Sequence, residues 1–558
     1  ITNCGATGIC PPSDRMVVHR FELTYPRQFN FDGANSFEFS LPPSATGNFL
    51  QISNFGYGAA TPVLYDITNG KRYNADMTAA PLLKFALPPS AGERNLVLAS
   101  VDVAHTNDVA VLQPRNFINY SNPANIGDYL IISHPLLMTG GSSNPVEDYR
   151  AYRSTAVGGG FNAKIYLADE LIDQFGFGIK KNPAGIRNFI RFARNTYPVA
   201  PKNVFIIGHG VNYRDHRAIE SASAVDQQNL ERLDMVPPFG WPASDALLAA
   251  DPGSSQPKTP IGRLSVVTPQ EVTTYLNKVI EFEQGQKTMS PAIADKAWQK
   301  NFVHIVGAGD NDLGNLLTGL MRNYEQTIED TLYGANVSTF SKTSSNAVEQ
   351  LTSGDLSKLF NDGISVITYF GHSSATTLEF NLDNPENYNN QGKYPMFIGL
   401  GCNAGNFFNY SPNRFITKET ISEKYVLAPN RGTIGFIAST HFGIVHYLDT
   451  WNARAYKRIA HTSYGKSIGQ IMLDAIEDVF NVTTQEDFYA RANAEESALH
   501  GDPAITLNPQ AKPDYVIEPQ LVKTSPAFVS VADATFNVDI DVMNIGKAPK
   551  NFIVVEVK

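Results

Sequence analysis

Ile364-Ser365-Val366-Ile367-Thr368-Tyr369-Phe370-Gly371-His372-Ser373-Ser374, followed by Met396-Phe397-Ile398-Gly399-Leu400-Gly401-Cys402-Asn403-Ala404-Gly405, sets the fold of this chain. Each stretch is a short apolar run that ends in glycine and then a reactive side chain. Runs without in/out alternation are buried on both faces, the mark of a mainly parallel sheet covered by helices. In open α/β sheets, functional groups collect just past the carboxyl ends of the strands. Parallel neighbours lie about 5 Å apart, so two such tips bring imidazole and thiol within reach of each other. A thiol of pKa about 8.5 is mostly protonated at neutral pH, and a histidine beside it can take the proton to leave the nucleophilic thiolate. Gly371 and Gly401 are expected to let the backbone turn sharply and to leave room for a substrate. The N–H groups of Cys402 and Ser373 are then candidate donors to an oxyanion. Between the two runs, the Asn-rich segment from Ala375 to Tyr394 reads as a surface connection.

Outward from this pair, further apolar strands are expected at Tyr129 to Ser133, Val204 to Ile207, Phe302 to Val306 and Ile434 to Ala438. Amphipathic helices separate them. Asn182-Pro183 gives an N-cap with Pro at the first helical position, followed by Ile186, Phe189, Ile190 and Ala193 on one face. Thr268-Pro269-Gln270-Glu271 is a capping box, followed by Val272, Tyr275, Leu276 and Val279 at the same spacing. The α/β texture begins near residue 125. Residues 1–115 read instead as a β-rich, sandwich-like domain, with strictly alternating Ser36 to Leu41 and a strand at Asn95 to Val101. After residue 513 the helices stop. Tyr515 to Ile517, Phe528 to Val531, Phe536 to Val542 and Phe552 to Val555 are strand-like, and Asn544 to Lys547 is a turn. Residues 513–558 therefore read as the start of an immunoglobulin-like β module, and the natural protein is expected to be longer.

At 558 residues the chain is long enough for about three or four domains. Its formal charge of −10 argues against nucleic acid as a partner, and no run approaches the roughly 18 apolar residues of a membrane helix. It is not expected to be integral in a membrane. Ile1 looks like a processed end, which suits export. The three cysteines are Cys4, Cys10 and Cys402. The first two lie in a Gly- and Pro-rich stretch where a small disulfide loop is sterically reasonable, which would leave Cys402 as the free thiol. The plainer alternative for a lone cysteine is a buried core thiol. Metal readings are weak, since Cys4 and Cys10 lack further thiols and no His-Glu-x-x-His occurs. Gly158-Gly159-Gly160 is not a phosphate-cradling loop.

Strand, Gly-His-x-Ser, polar loop, strand and Cys near Gly together resemble the gingipain family of caspase-like cysteine peptidases. Gly158 to Ala163, Asp169 to Gly176, Ile437 to Thr440 and Leu499 to Ala504 agree with it. The resemblance covers about residues 125–512. It implies an α/β caspase-like fold of two subdomains, 125–262 and 263–512, with helices on both faces of mainly parallel sheets. It also implies a cysteine endopeptidase with Cys402 as nucleophile and His372 as base. An acidic residue often supports that histidine, and Asp310 is the candidate, with Asp312 a candidate for the substrate pocket. The plain reading of both aspartates is a turn or a helix cap. Ser373 and Gly401 beside the pair, and Thr440 and His441 after the next strand, are the expected oxyanion and substrate contacts, with Phe442 beside them. His209, near Asp215 and His216, is a rival histidine read as a loop residue, and His446 as structural. The N-terminal β-domain and the order of domains resemble PorU-type processing peptidases of the type IX secretion system. That implies protein substrates with C-terminal sorting domains, a lipopolysaccharide acceptor, other secretion-system subunits as partners, and location at a bacterial outer-membrane surface or outside the cell. No cofactor is needed for such chemistry. Family members commonly bind structural calcium, for which no dense run of carboxylates is seen here. The family usually has Gly after the histidine, where this chain has Ser373. That departure supports an alternative of another class, a catalytically silent scaffold binding secreted partners.

Overall fold

The structure is a computed structural model that describes residues 25–107, 116–140, 143–287, 290, 292–330, 332–342, 350–380, 382, 384–484, 486–550, 553–554 and 556. Cys4, Cys10 and the disulfide expected between them lie outside the described residues. The chain divides into two compact units, Ile1–Asn116 and Phe117–Lys558.

In the first unit, β1 (Ser36–Leu41), β3 (Val63–Asp66), β4 (Lys71–Asn74) and β6 (Arg94–Ala99) form an antiparallel sheet in the order β1-β6-β3-β4, while β2 (Asn48–Ile52) pairs with β5 (Leu83–Leu87). Period-two alternation builds the core. Leu96 and Leu98 of β6 point inward with Leu50, Ile52, Phe85 and Leu87, and Asn95 points out. Arg94 also points inward, where Asp66 neutralises it at 3.3 Å.

In the second unit, the strands are β7 (Tyr129–Ser133), β8 (Ala163–Leu167), β9 (Asn203–Ile207), β10 (Ile261–Leu264), β11 (Asn301–Gly307), β12 (Asn336–Lys342), β13 (Val366–Gly371), β14 (Met396–Leu400), β15 (Gly435–Ser439) and β16 (Ser497–His500). They make one ten-stranded sheet in the order β12-β11-β13-β14-β15-β16-β10-β9-β7-β8. The apolar runs read from sequence are strands here, and their side chains are buried. Both expected helices form, Pro183–Thr196 capped by Asn182 and Pro269–Gln286 capped by Thr268, and each buries the face its spacing predicts. Four strands were not expected: β8, β10, β12 and β16. In β10 and β16 the reason is plain, since Arg263 and His500 interrupt the apolar pattern, yet both are buried and lie opposite each other in register.

Those two short strands control the topology. β16 is antiparallel to β15 but parallel to β10, so the β7 to β10 half runs opposite to the β11 to β15 half. The carboxyl tips of the two halves therefore lie at opposite edges of the sheet. Farther on, β17 (Tyr515–Val516) pairs with β20 (Met543–Asn544), and β18 (Val522–Ser525) with β19 (Asn537–Ile540). The strand expected at Phe528 to Val531 is coil, with Phe528 and Val531 exposed. Alternation alone makes no strand without a ladder partner, and β19 takes the polar Val522–Ser525 instead. The strand expected at Phe552 to Val555 lies partly outside the described residues, and Ile553 and Val554 are coil. Among the described residues no helix is long and apolar enough to cross a membrane.

Candidate active site

β13 and β14 are parallel neighbours, with Tyr369 opposite Gly399 and Phe370 opposite Leu400. His372 and Cys402 follow two residues later on each chain, just past the tips of these neighbouring strands. His372 is exposed and its N–H donates to Gly307 O at 3.0 Å. Cys402 is a half-buried free thiol.

The glycines before this pair serve close approach rather than a sharp turn. A Cβ at Gly371 would lie 2.0 Å from Gly307 O, and one at Gly401 would lie 2.2 Å from Ser373 Oγ and 2.6 Å from Gly371 O. The turn itself falls one residue after the thiol, at Asn403, with φ of 57°. Asn tolerates that left-handed conformation better than most side chains. It aims Asn403 N–H at His441 O, 2.6 Å away.

Ser373 has a specific role in this geometry. Its hydroxyl donates to Cys402 O at 2.8 Å and so ties the histidine loop to the thiol loop. A bridge joins it to Leu378 through Ser374 N–H on Thr377 O and Glu379 N–H on His372 O, which does not use the N–H of Ser373 itself. Replacing Ser373 by Ala is expected to lower stability by about 0.5–1.5 kcal/mol, the net worth of one hydrogen bond. Urea titration of the two proteins checks this, and an unchanged midpoint would remove the tie from the account.

The loop after β15 closes over the thiol. Gly443 N–H reaches Cys402 Sγ at 3.4 Å, and Sγ lies 3.7 Å from Gly443 O. Thr440, expected at the substrate, is buried: its hydroxyl donates to Ala243 O at 2.8 Å and its N–H to Glu496 O at 2.9 Å, so it holds the loop. His441 is partly exposed, with its ring centroid 5.2 Å from that of Trp241 and 4.3 Å from that of Phe442. Trp241, Phe442 and Ile444 are exposed apolar side chains on these segments.

Asp310 and Asp312 both sit at the start of the helix Asn311–Glu329. Asp310 is its N-cap and accepts Leu313 N–H at 2.8 Å; Asp312 is in the first turn, and both are exposed. A helix N-terminus favours carboxylates at these positions. His209 is buried at the opposite sheet edge from Cys402, where its Nδ1 bonds Leu233 O at 3.0 Å and burial lowers its pKa. His216 bonds Asp234 at 2.9 Å, and Asp215 accepts Tyr410 N–H from the segment that follows the thiol. His446 is exposed in the helix Val445–Lys457.

Three groups escaped the sequence reading. Trp241 comes from far upstream, and Gly443 carried a signal only in its nearness to His441-Phe442. Glu496 had none, yet it is buried beside the tip of β15 with its pKa raised by desolvation to about 7. Among the described residues no group of three or more His, Cys, Asp or Glu side chains is gathered as a cation would need, so no calcium cage of carboxylates is visible there.

A family model described as Peptidase family C25 matches residues 122–508. Among solved structures, the chain is similar to the Arg-specific cysteine proteinase gingipain R (RGPB), at 13% identity and a TM-score of 0.49, covering 70% of this chain and 81% of that one. It is likewise similar to the complex of Porphyromonas gingivalis RgpB pro- and mature domains, at 14% identity and a TM-score of 0.49, covering 70% of this chain and 82% of that one. Dimeric latent PorU from Porphyromonas gingivalis is matched at 16% identity and a TM-score of 0.32, over 46% of this chain and 25% of that one. No curated protein matches.

Proposed function

The chain belongs to peptidase family C25, the gingipain family, and from that premise we propose that it is a cysteine endopeptidase with Cys402 as nucleophile and His372 as its base. The observation that supports the reading is the parallel pairing of β13 and β14, whose adjacent tips lead into His372 and Cys402. His372 takes the thiol proton, and the thiolate attacks the peptide carbonyl carbon. The tetrahedral oxyanion is met by the N–H groups of Cys402 and Ser373. As the C–N bond breaks, the imidazolium returns its proton to the leaving amine, and a thioester remains on Cys402. Water or a second amine then releases the acyl group and regenerates the thiol. Asp310 acts here as a positioning residue: it caps the helix that follows the tip of β11, where Gly307 O accepts His372 N–H. The exposed rings of Trp241 and Phe442, with Ile444, offer apolar contact to a peptide at the thiol, and His441 stands among them.

More finely, the chain is assigned to surface processing: removal of C-terminal sorting domains from exported proteins, with an amine on lipopolysaccharide as one acceptor and other secretion subunits as partners. The sequence resemblance is its support, and incubation with a protein carrying such a domain, followed by mass analysis of both products, tests it. The silent-scaffold alternative draws on Ser373, whose hydroxyl has a holding role compatible with a working pair.

The dyad is tested by iodoacetamide or an acyloxymethyl-ketone probe followed by mass spectrometry. Labelling is expected at Cys402, faster than for a free cysteine, and slowed on the order of a hundredfold or more in His372→Ala. Equal labelling of the two proteins would sink the assignment of His372 as base.

A further inference from the structure

The loop after β15, which closes over the thiol, rests on a residue that the proposed chemistry does not use. Glu496 ends the helix Phe488–Glu496 and leads directly into β16. Because β16 runs antiparallel to β15 with Ser439 opposite Ser497, Glu496 falls beside the tip of β15, where the loop Ser439 to Gly443 begins. Two bonds join them, and a third lies within the loop. Ser439 Oγ donates to Glu496 Oε2 at 3.2 Å, the same hydroxyl accepts His441 N–H at 3.2 Å, and Thr440 N–H donates to Glu496 O at 2.9 Å. The loop then meets the nucleophile twice, through His441 O on Asn403 N–H and through Gly443 N–H on Cys402 Sγ.

Burying a carboxyl is costly unless it is paired, and among the described residues no Lys or Arg is paired with this one. His441 Nδ1 stands 4.0 Å from Glu496 Oε1, but burial lowers the pKa of His441 and raises that of Glu496, so each favours its neutral form and the contact is not an ion pair. For Glu496, desolvation raises the pKa to about 7, the Ser439 hydroxyl opposes it and Glu495 adds to it. Glu495 itself accepts the Ser255 hydroxyl. An apolar side chain would fill this position at lower cost but could not accept the Ser439 hydroxyl.

We propose that Glu496 is a positioning residue for Cys402: through the Ser439 hydroxyl it fixes the loop whose Gly443 N–H meets the sulfur, and thereby sets the reactivity of the thiol. The inference rests on the reading of Cys402 as nucleophile. The carboxylate accepts from Ser439, whereas the carboxylic acid can donate and compete for the hydroxyl oxygen that His441 N–H uses. The loop is accordingly held best above the midpoint of Glu496.

The test is the second-order rate of iodoacetamide alkylation at Cys402, followed by intact-mass spectrometry on the full chain across pH values either side of 7, with circular dichroism as the check on folding. Glu496→Ala is expected to slow alkylation about tenfold, the scale of one lost hydrogen bond to a charged group. Glu496→Gln, which keeps an acceptor, should restore the rate to within about twofold while flattening the Glu496 limb of the pH profile. A folded Glu496→Ala protein that reacts like wild type, or a Gln variant no better than Ala, overturns the proposal. If Glu496→Ala does not fold, Ser439→Ala cuts the same link from the other side and is read by the same criterion. His372→Ala measured in parallel keeps the two ideas apart. An unchanged rate there fails the dyad, while the dependence of the thiol on Glu496 is still read directly.

Discussion

Cys402→Ala should abolish peptide-bond cleavage by this chain, with a fall in kcat on the order of 10⁶, as for other covalent catalysts stripped of their nucleophile. His372→Ala should fall less, by about 10² to 10⁴, because it removes the base but leaves the sulfur and the N–H groups around it. The two effects should also differ in pH dependence. A thiol without its base must ionise unaided, so the residual rate of His372→Ala should climb with pH, while Cys402→Ala stays flat. The double variant should be no worse than Cys402→Ala, since both side chains serve one step. Hydrolysis of a fluorogenic peptide, with KM separated from kcat, measures all three proteins. The substitutions are expected to leave the fold intact, because His372 is exposed and the thiol is only half-buried. Cleavage that survives Cys402→Ala unchanged would leave the chain a member of its family without the chemistry proposed for it.

The two neighbouring strands before His372 and Cys402 are legible in sequence because each is local: an apolar run that ends in glycine. What the runs could not show is direction. Arg263 and His500 are buried polar residues within short strands, and they hide β10 and β16 from any reading based on apolar runs. Without β16 the two halves of the sheet look alike, and His209 at the tip of β9 looks as well placed as His372. The antiparallel β15–β16 pair reverses one half and sends His209 to the far edge. The same pair delivers Glu496 to the loop after β15, a contact between residues with no shared motif. Asp310 illustrates a different ambiguity. An aspartate after a strand and before a helix is written the same way whether it caps or catalyses, and here its carboxylate takes Leu313 N–H. The glycines serve close approach and not the sharp turn, which falls at Asn403. Gly401 is needed because Ser373 Oγ occupies the space of a Cβ, which no local pattern reveals.

Arg153→Ala is expected to cost the second unit about 3–5 kcal/mol, the largest stability change predicted here. Arg153 is buried, with Nε 2.7 Å from Asp502 Oδ2 and one terminal nitrogen 2.7 Å from Glu283 Oε1 and 3.1 Å from Gly158 O. Asp502 also accepts Tyr149 Oη at 2.6 Å, and its N–H donates to Tyr275 Oη, which in turn donates to Ile434 O at 2.8 Å. One cation thus joins the helix Pro145–Ser154, the helix Pro269–Gln286 and the chain just past β16. This also gives Gly158 and Asp502, which stand in two of the stretches that carried the family resemblance, a shared structural role. Removing the guanidinium leaves two carboxylates facing each other in a buried site, with no opposite charge from Arg153. Arg153→Lys should recover little, because a single ammonium cannot reproduce the fork that spans Asp502, Glu283 and Gly158 O. Combining Arg153→Met with Asp502→Asn and Glu283→Gln should recover part of the loss by removing the stranded charges. Denaturant midpoints of these variants decide it. A triple variant no more stable than Arg153→Ala would mean that the carboxylates are not what Arg153 restrains.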